Sequence, residues 1–74
     1  MIFPDKETVA RVRAEYPPGT KVVLEKMNDE HAPPVGTIGF VRAVDDTASL
    51  LVDWSNGGRL NVIFGVDYAV KVIM

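Results

Sequence analysis

From Asp5 onward single apolar residues punctuate charged and small ones: Val9, Val12 and Tyr16 recur at spacings of three and four, flanked by Ala10 and Ala14. That is the period of an α-helix with one apolar stripe. Asp5, behind Pro4 and ahead of Lys6-Glu7-Thr8, is placed to accept from a free N–H of the first turn, and Glu7 suits the positive helix end. Pro17 disfavours helical geometry at Tyr16, and Pro18-Gly19 fits the centre of a type II turn. The spacing therefore predicts a helix over 5–16. A rod of about three turns is unstable alone in water, so its stripe needs a sheet to lie on.

After Thr20 the period drops to two. Val22 and Leu24 share a face of a first strand, and Met27 to Pro34 reads as a polar loop. Gly36 to Val44 is a second strand with a fault: Gly39 and Val41 agree in parity, but Val44 falls three after Val41, which predicts a β-bulge near Arg42-Ala43. Asp45 to Ala48 is a turn, and Leu50, Val52 and Trp54 alternate along a third strand. In the next hairpin a two-residue Asn56-Gly57 turn would oppose Asp53 to Leu60, an acid beside a core letter. A three-residue loop with Gly58 at positive φ instead aligns Trp54 with Leu60, Val52 with Val62 and Leu50 with Phe64, and this register is expected. Beyond a tight turn at Gly65-Val66-Asp67, Val70 and Val72 form a last short strand. One helix and about five short, bent strands outline a mainly β domain, a small SH3-like barrel over 20–74 behind the helix. A strongly bent, open antiparallel sheet with the helix as its lid is the alternative.

Composition narrows the function classes. A chain of 74 residues builds one compact core, burying about 60% of the surface that its unfolded form exposes, with little room left for a catalytic cleft. With no cysteine, disulfide scaffolds, thiolate metal sites and Cys nucleophiles are all excluded. Eight basic and ten acidic side chains are interleaved, so no segment is a basic arm or an acidic tail. No apolar run approaches the ~20 residues of a membrane span, and the expected setting is soluble and cytoplasmic.

The string Tyr16-Pro17-Pro18-Gly19-Thr20, the loop residues Met27, Asp29, Ala32, Pro33 and Pro34, then Gly36-Thr37, Gly39, Val41 and Val44-Asp45-Asp46 follow in order, and Val52, Trp54, Asn56-Gly57, Leu60 and Gly65-Val66-Asp67 complete the set. Together they resemble an uncharacterised domain-of-unknown-function family of short SH3-like proteins from Gram-positive bacteria, their phages and mobile elements. The resemblance implies a stand-alone β domain and no known activity or functional residue. It also implies company in which a small protein blocking a host defence complex is a natural role. Ile38 and Phe40 stand where the resemblance leads to more polar letters. If they share an outer face with Leu51 and Ile63, the surplus apolar area needs a cover, either the helix stripe or a partner.

Reactive constellations are sparse. Asp29-Glu30-His31 offers three donors, but adjacent residues rarely converge on one metal, and a solvated loop accounts for them. Asp45-Asp46 is explained by turn chemistry, and Ser49 and Ser55 have no neighbouring base. No enzymatic activity, cofactor or metal is expected. Trp54 continues the buried stripe, Phe3, Tyr16 and Phe64 look structural, and Tyr68, next to a turn, is open for contact. Ile38, Phe40, Leu51, Ile63 and Tyr68 are thus the expected partner-binding residues of a non-enzymatic module acting through protein–protein contact, a homodimer included. The alternative is a nucleic-acid-binding small barrel using Arg42, Arg59, Lys21, Lys26 and Lys71, although acids sit beside nearly every one of these cations.

Overall fold

The computed structural model describes residues 4–72, so Phe3 lies outside the described residues. Helix α1 (Lys6–Glu15) starts where Asp5 accepts a hydrogen bond from the Thr8 amide at 2.8 Å. The Thr8 side chain and amide, helped by the Arg11 charge, hold the Asp5 carboxyl below its ordinary range. Strands β1 (Lys21–Lys26), β2 (Ile38–Val44), β3 (Leu50–Trp54) and β4 (Tyr68–Lys71) form one antiparallel sheet in the order β3-β2-β1-β4.

The central β1–β2 pair is closed at both ends by turns of one chemistry. Pro17-Pro18-Gly19-Thr20 leads into β1 and Pro34-Val35-Gly36-Thr37 leads into β2, with the glycines at φ +93° and +94°. In each turn the threonine amide donates to the carbonyl of the first proline at 3.1 Å and the hydroxyl donates to it at 2.6 Å. Each glycine N–H then crosses to the opposite strand, Gly19 to the Val41 carbonyl and Gly36 to the Leu24 carbonyl, both at 2.8 Å. Only glycine takes that positive φ without strain, so the turn chemistry fixes how the strands enter the sheet.

The period fault in β2 is a bulge: register slips between Val41 and Ala43, so that Val44 rejoins Val41 on the inner face. That face carries Val22 and Leu24 from β1, Val41 and Val44 from β2, and Leu50, Val52 and Trp54 from β3, and with Val62 these residues make the core. Helix α1 lies on this face. Val9 is buried, and Val12 and Tyr16 pack against the core. Arg13, in the last turn, ties the helix to the end of β2 by donating to the Val44 carbonyl at 3.1 Å and to Asp46 at 2.8 Å.

Two expectations are corrected. Instead of about five strands closing into a barrel, the described residues hold four strands in a sheet that stays open, with the helix over one face, as in the alternative reading. The segment expected as a further strand forms no ladder with the sheet, only an isolated bridge between Leu50 and Val62. Its register also differs: Val62, not Phe64, faces Leu50, the Trp54 amide donates to Gly58, and Gly57 rather than Gly58 takes the positive φ. A slip of two residues preserves side-chain parity, so alternation alone does not separate the registers. The buried Trp54 indole decides it. Its Nε1 donates to the Leu60 carbonyl at 2.8 Å, turning 59–61 toward the ring instead of along β3.

The turn between β2 and β3 is locked by one carboxylate. Asp45 Oδ1 accepts from the Thr47 hydroxyl at 2.7 Å and from the Thr47 and Ser49 amides at 2.9 and 3.0 Å. Burial pushes the Asp45 carboxyl up, but the Thr47 hydroxyl, the Ser49 and Thr47 amides and the Arg13 charge outweigh it and leave it below its ordinary range. Ser49 passes the order on, its hydroxyl accepting from the Phe64 amide at 3.3 Å, while Asp67 accepts from the Ile63 amide at 2.9 Å.

Candidate functional site

Because α1 and Val62 pack on the inner face, the alternate residues of the sheet form an outer face with no helix or strand packed on it among the described residues. Pairing places them in rows. Val70 of β4 lies opposite Val23 of β1, and Val23 opposite Ile38 of β2. In the next row Lys21 lies opposite Phe40, and Phe40 opposite Asp53. Past the bulge Ala43 faces Leu51. Phe40 is 49% and Val70 46% exposed, while Val23, Ile38 and Leu51 are half-buried by their neighbours. A half-exposed phenylalanine on an interior strand is unusual for a covered sheet face.

Charge gathers at one side of this face. Arg42, two residues after Phe40, places Nε 3.1 Å from Asp53 Oδ1, and Arg59 reaches the same oxygen with Nε at 3.4 Å. Neither contact has hydrogen-bond geometry: Asp53 Oδ1 is shielded from solvent and receives no directed N–H. One carboxylate thus balances two guanidinium groups, and Lys21 adds a third cation across Phe40.

Of the expected partner-binding residues, Ile38, Phe40 and Leu51 share this face. Ile63 does not: it lines a separate cavity of about 360 Å³ with Met27, Asn28, Leu60 and Val66, because the Asp67 hydrogen bond folds its segment away from the sheet. Tyr68 begins β4 where register with β1 slips beyond Leu24, and the Lys26 ammonium sits 5.9 Å from its ring. Of the basic residues, Arg42 and Arg59 meet at Asp53, the β3 neighbour of Phe40, and Lys21 is the β1 neighbour of Phe40. Lys26 is on Tyr68, and Lys71 lies over the Tyr16 ring at 5.2 Å, beside the helix.

A second concavity, about 400 Å³, separates α1 from the 62–69 segment and is walled by Val12, Tyr16, Leu50, Val62, Phe64 and Ala69. Phe64, expected to be structural, is 47% exposed at its rim, a consequence of the shifted register. Trp54 is 3% exposed and belongs to the core, as alternation predicts. In the loop before β2, Asp29 accepts from the His31 amide at 2.7 Å, and His31 Nε2 lies 3.5 Å from exposed Glu30. Among the described residues no cluster of three or more His, Cys, Asp or Glu is arranged to hold a metal, and no helix is long and apolar enough to cross a membrane.

Alternation separates the two faces, but it misses two features of the site's surroundings: the repeated Pro-x-Gly-Thr turn, and Asp53 set between Arg42 and Arg59. The first is visible as a repeated string of letters. The second emerges only from register, since Arg59 is not on a strand. A family model described as a domain of unknown function (DUF4314) matches residues 5–73. No curated protein and no solved structure matches the chain.

Proposed function

The chain belongs to the DUF4314 family of domains of unknown function, and we propose that it is a non-enzymatic binding module that docks another protein on its outer sheet face. The observation that carries this reading is the position of α1 on the opposite face, which leaves Val23, Ile38, Phe40 and Val70 side by side without a cover among the described residues. Contiguous exposed apolar surface of this kind marks contact sites more often than scattered single residues do. Aromatic residues are also enriched at the centres of protein interfaces.

The test is Phe40→Ser. Half-exposed Phe40 contributes little to the inner core, so the variant keeps its circular dichroism and unfolds close to the parent temperature, yet loses the protein that wild type captures from the host lysate, or dissociates if the partner is a second copy. A variant that unfolds makes Phe40 a core residue, and one that captures the same proteins moves the contact elsewhere. Either result ends the proposal.

One observation favours a second reading. Phe40 has Lys21 as its β1 neighbour and Asp53, with Arg42 and Arg59 on it, as its β3 neighbour, an arrangement able to stack a base and hold phosphates. That reading requires fluorescence anisotropy to rise with single- or double-stranded probes at low salt and to fall steeply as salt is added. A flat response removes it.

A further inference from the structure

The Arg42–Asp53–Arg59 cluster has more structure than a surface ion pair needs. Asp53 Oδ1 lies between Arg42 Nε at 3.1 Å and Arg59 Nε at 3.4 Å but accepts a directed hydrogen bond from neither. The carboxylate holds the two cations together without using up their donors, and the three groups keep one net positive charge. Arg59 is 75% exposed at its side chain, so its fork faces solvent. Phe40 is the cross-strand neighbour of Asp53, which places this charge in the same row of the sheet as the exposed phenylalanine. Guanidinium groups in such a position bind planar anions through parallel N–H bonds.

We infer that this cluster is the anion-recognising side of the docking face, and that the partner is a protein segment carrying an Asp or Glu beside an aliphatic or aromatic side chain. The inference rests on the docking reading above and adds the chemistry of what docks. Charge complementarity selects this occupant. The apolar side chain covers Phe40, Ile38 and Val23, and its neighbouring carboxylate supplies the charge that Asp53 leaves unmatched. A second copy is disfavoured because its own copy of this face offers the cluster no free carboxylate, Asp53 being already set between Arg42 and Arg59. A nucleic acid is disfavoured because the face offers Phe40 as its one central ring, where a single strand stacks on successive aromatics, and because the whole chain carries net charge −2.

Random short peptides displayed on phage are selected against immobilised full-length wild type, Phe40→Ser, Arg42→Gln and Arg59→Glu, each first checked by circular dichroism. Arg59 lies outside the strands, and its reversal leaves Arg42 on Asp53, so the fold is kept while the cluster passes from net +1 to net −1. Wild type is expected to enrich peptides with Asp or Glu at a fixed spacing from an apolar residue. Arg42→Gln should weaken the best such peptide by about tenfold in anisotropy titrations, and Arg59→Glu should turn the enrichment toward Lys and Arg. Enriched peptides that depend on Phe40 but show no acidic bias, or whose bias survives Arg59→Glu, overturn this inference and leave the docking reading standing. Enrichment indifferent to Phe40→Ser overturns both, as does a wild type that enriches nothing but shifts an oligothymidine probe at low salt.

Discussion

Gly39 is the place where the fold is least able to accept a single added carbon. It lies on β2 opposite Trp54, and a Cβ there would stand 2.5 Å from Val52 Cγ1, 2.6 Å from Trp54 Cε3 and 2.9 Å from Trp54 Cζ3. Carbon pairs are most stable at about 3.5–4.0 Å, so each neighbour would have to retreat by roughly 1 Å. Val52 is 0% and Trp54 3% exposed, and the indole is tethered through Nε1 to the Leu60 carbonyl at 2.8 Å. Overpacking a filled core costs about 1–3 kcal/mol, and drawing a buried indole off its acceptor costs about 1–3 kcal/mol more. Against this, alanine is better than glycine inside a strand by roughly 0.5–1 kcal/mol. The net expectation for Gly39→Ala is a loss of about 1–5 kcal/mol, and the middle of that range, about 3 kcal/mol, is a fall in Tm of roughly 10–25 °C for a domain of this size. Trp54 is the one tryptophan, so urea unfolding followed by its fluorescence reads both the stability and the ring's surroundings. Unfolding of the Gly39→Ala, Trp54→Leu and doubly substituted proteins, followed by circular dichroism, gives the coupling, expected to exceed about 1 kcal/mol. An unchanged or raised midpoint for Gly39→Ala would mean that only the strand preference acts, and that Trp54 is not seated on Gly39.

The Asp45 carboxyl is held below its ordinary value of about 3.9, so its share of stability is fully present above that pH and is lost as pH falls through the lower folded-state value. The gap in urea midpoint between wild type and Asp45→Asn should therefore be constant from neutral pH down to about 4 and shrink below it; a gap that stays constant into strong acid contradicts the assignment. Asp67→Ala removes the acceptor of the Ile63 amide and should cost about 1–2 kcal/mol while speeding hydrogen exchange at Ile63 more than at Val41; uniform exchange across both sites would place the effect elsewhere. A Cβ added at Gly36 would meet nothing within 4 Å, but the residue sits at φ +94°, so Gly36→Ala should cost about 1–2 kcal/mol through backbone conformation alone, and a neutral result in urea unfolding would remove the left-handed turn.

Local chemistry was legible where one physical cause dominates. The Asp5 cap, the Val9, Val12 and Tyr16 stripe, the Pro18-Gly19 turn and the bulge at Arg42-Ala43 each follow from a short-range rule, and each is in the structure. The barrel and the last hairpin depended on long-range closure. There the deciding interaction is one hydrogen bond from Trp54 Nε1 to the Leu60 carbonyl, which the alternation of apolar letters does not encode. With the return segment held there and Ile63 tied to Asp67, Phe64 stands at a rim, Ile63 faces the loop at Met27, and the sheet has four strands among the described residues.

The site was half legible for a related reason. Parity divides Gly39 and Val41 from Ile38 and Phe40, but it cannot say which set the helix covers. Two features settle it: the bulge returns Val44 to the inner face, and Arg13 fastens the last helical turn to the Val44 carbonyl and Asp46 at that same corner. With the helix committed there, its stripe is used up by the core, and the outer apolar rows are left open by the same geometry that completes the inner ones. The surplus at Ile38 and Phe40 is therefore tied to the bulge. Regular pairing through 41–44 with every residue kept would turn Val44 out of phase with Val41, release the Arg13 anchor and destroy the separation of faces together with the fold. Phe40→Ser, by contrast, alters the outer face and leaves that anchor in place. This difference makes the outer face open to change without loss of the core, which is the property that a docking surface needs.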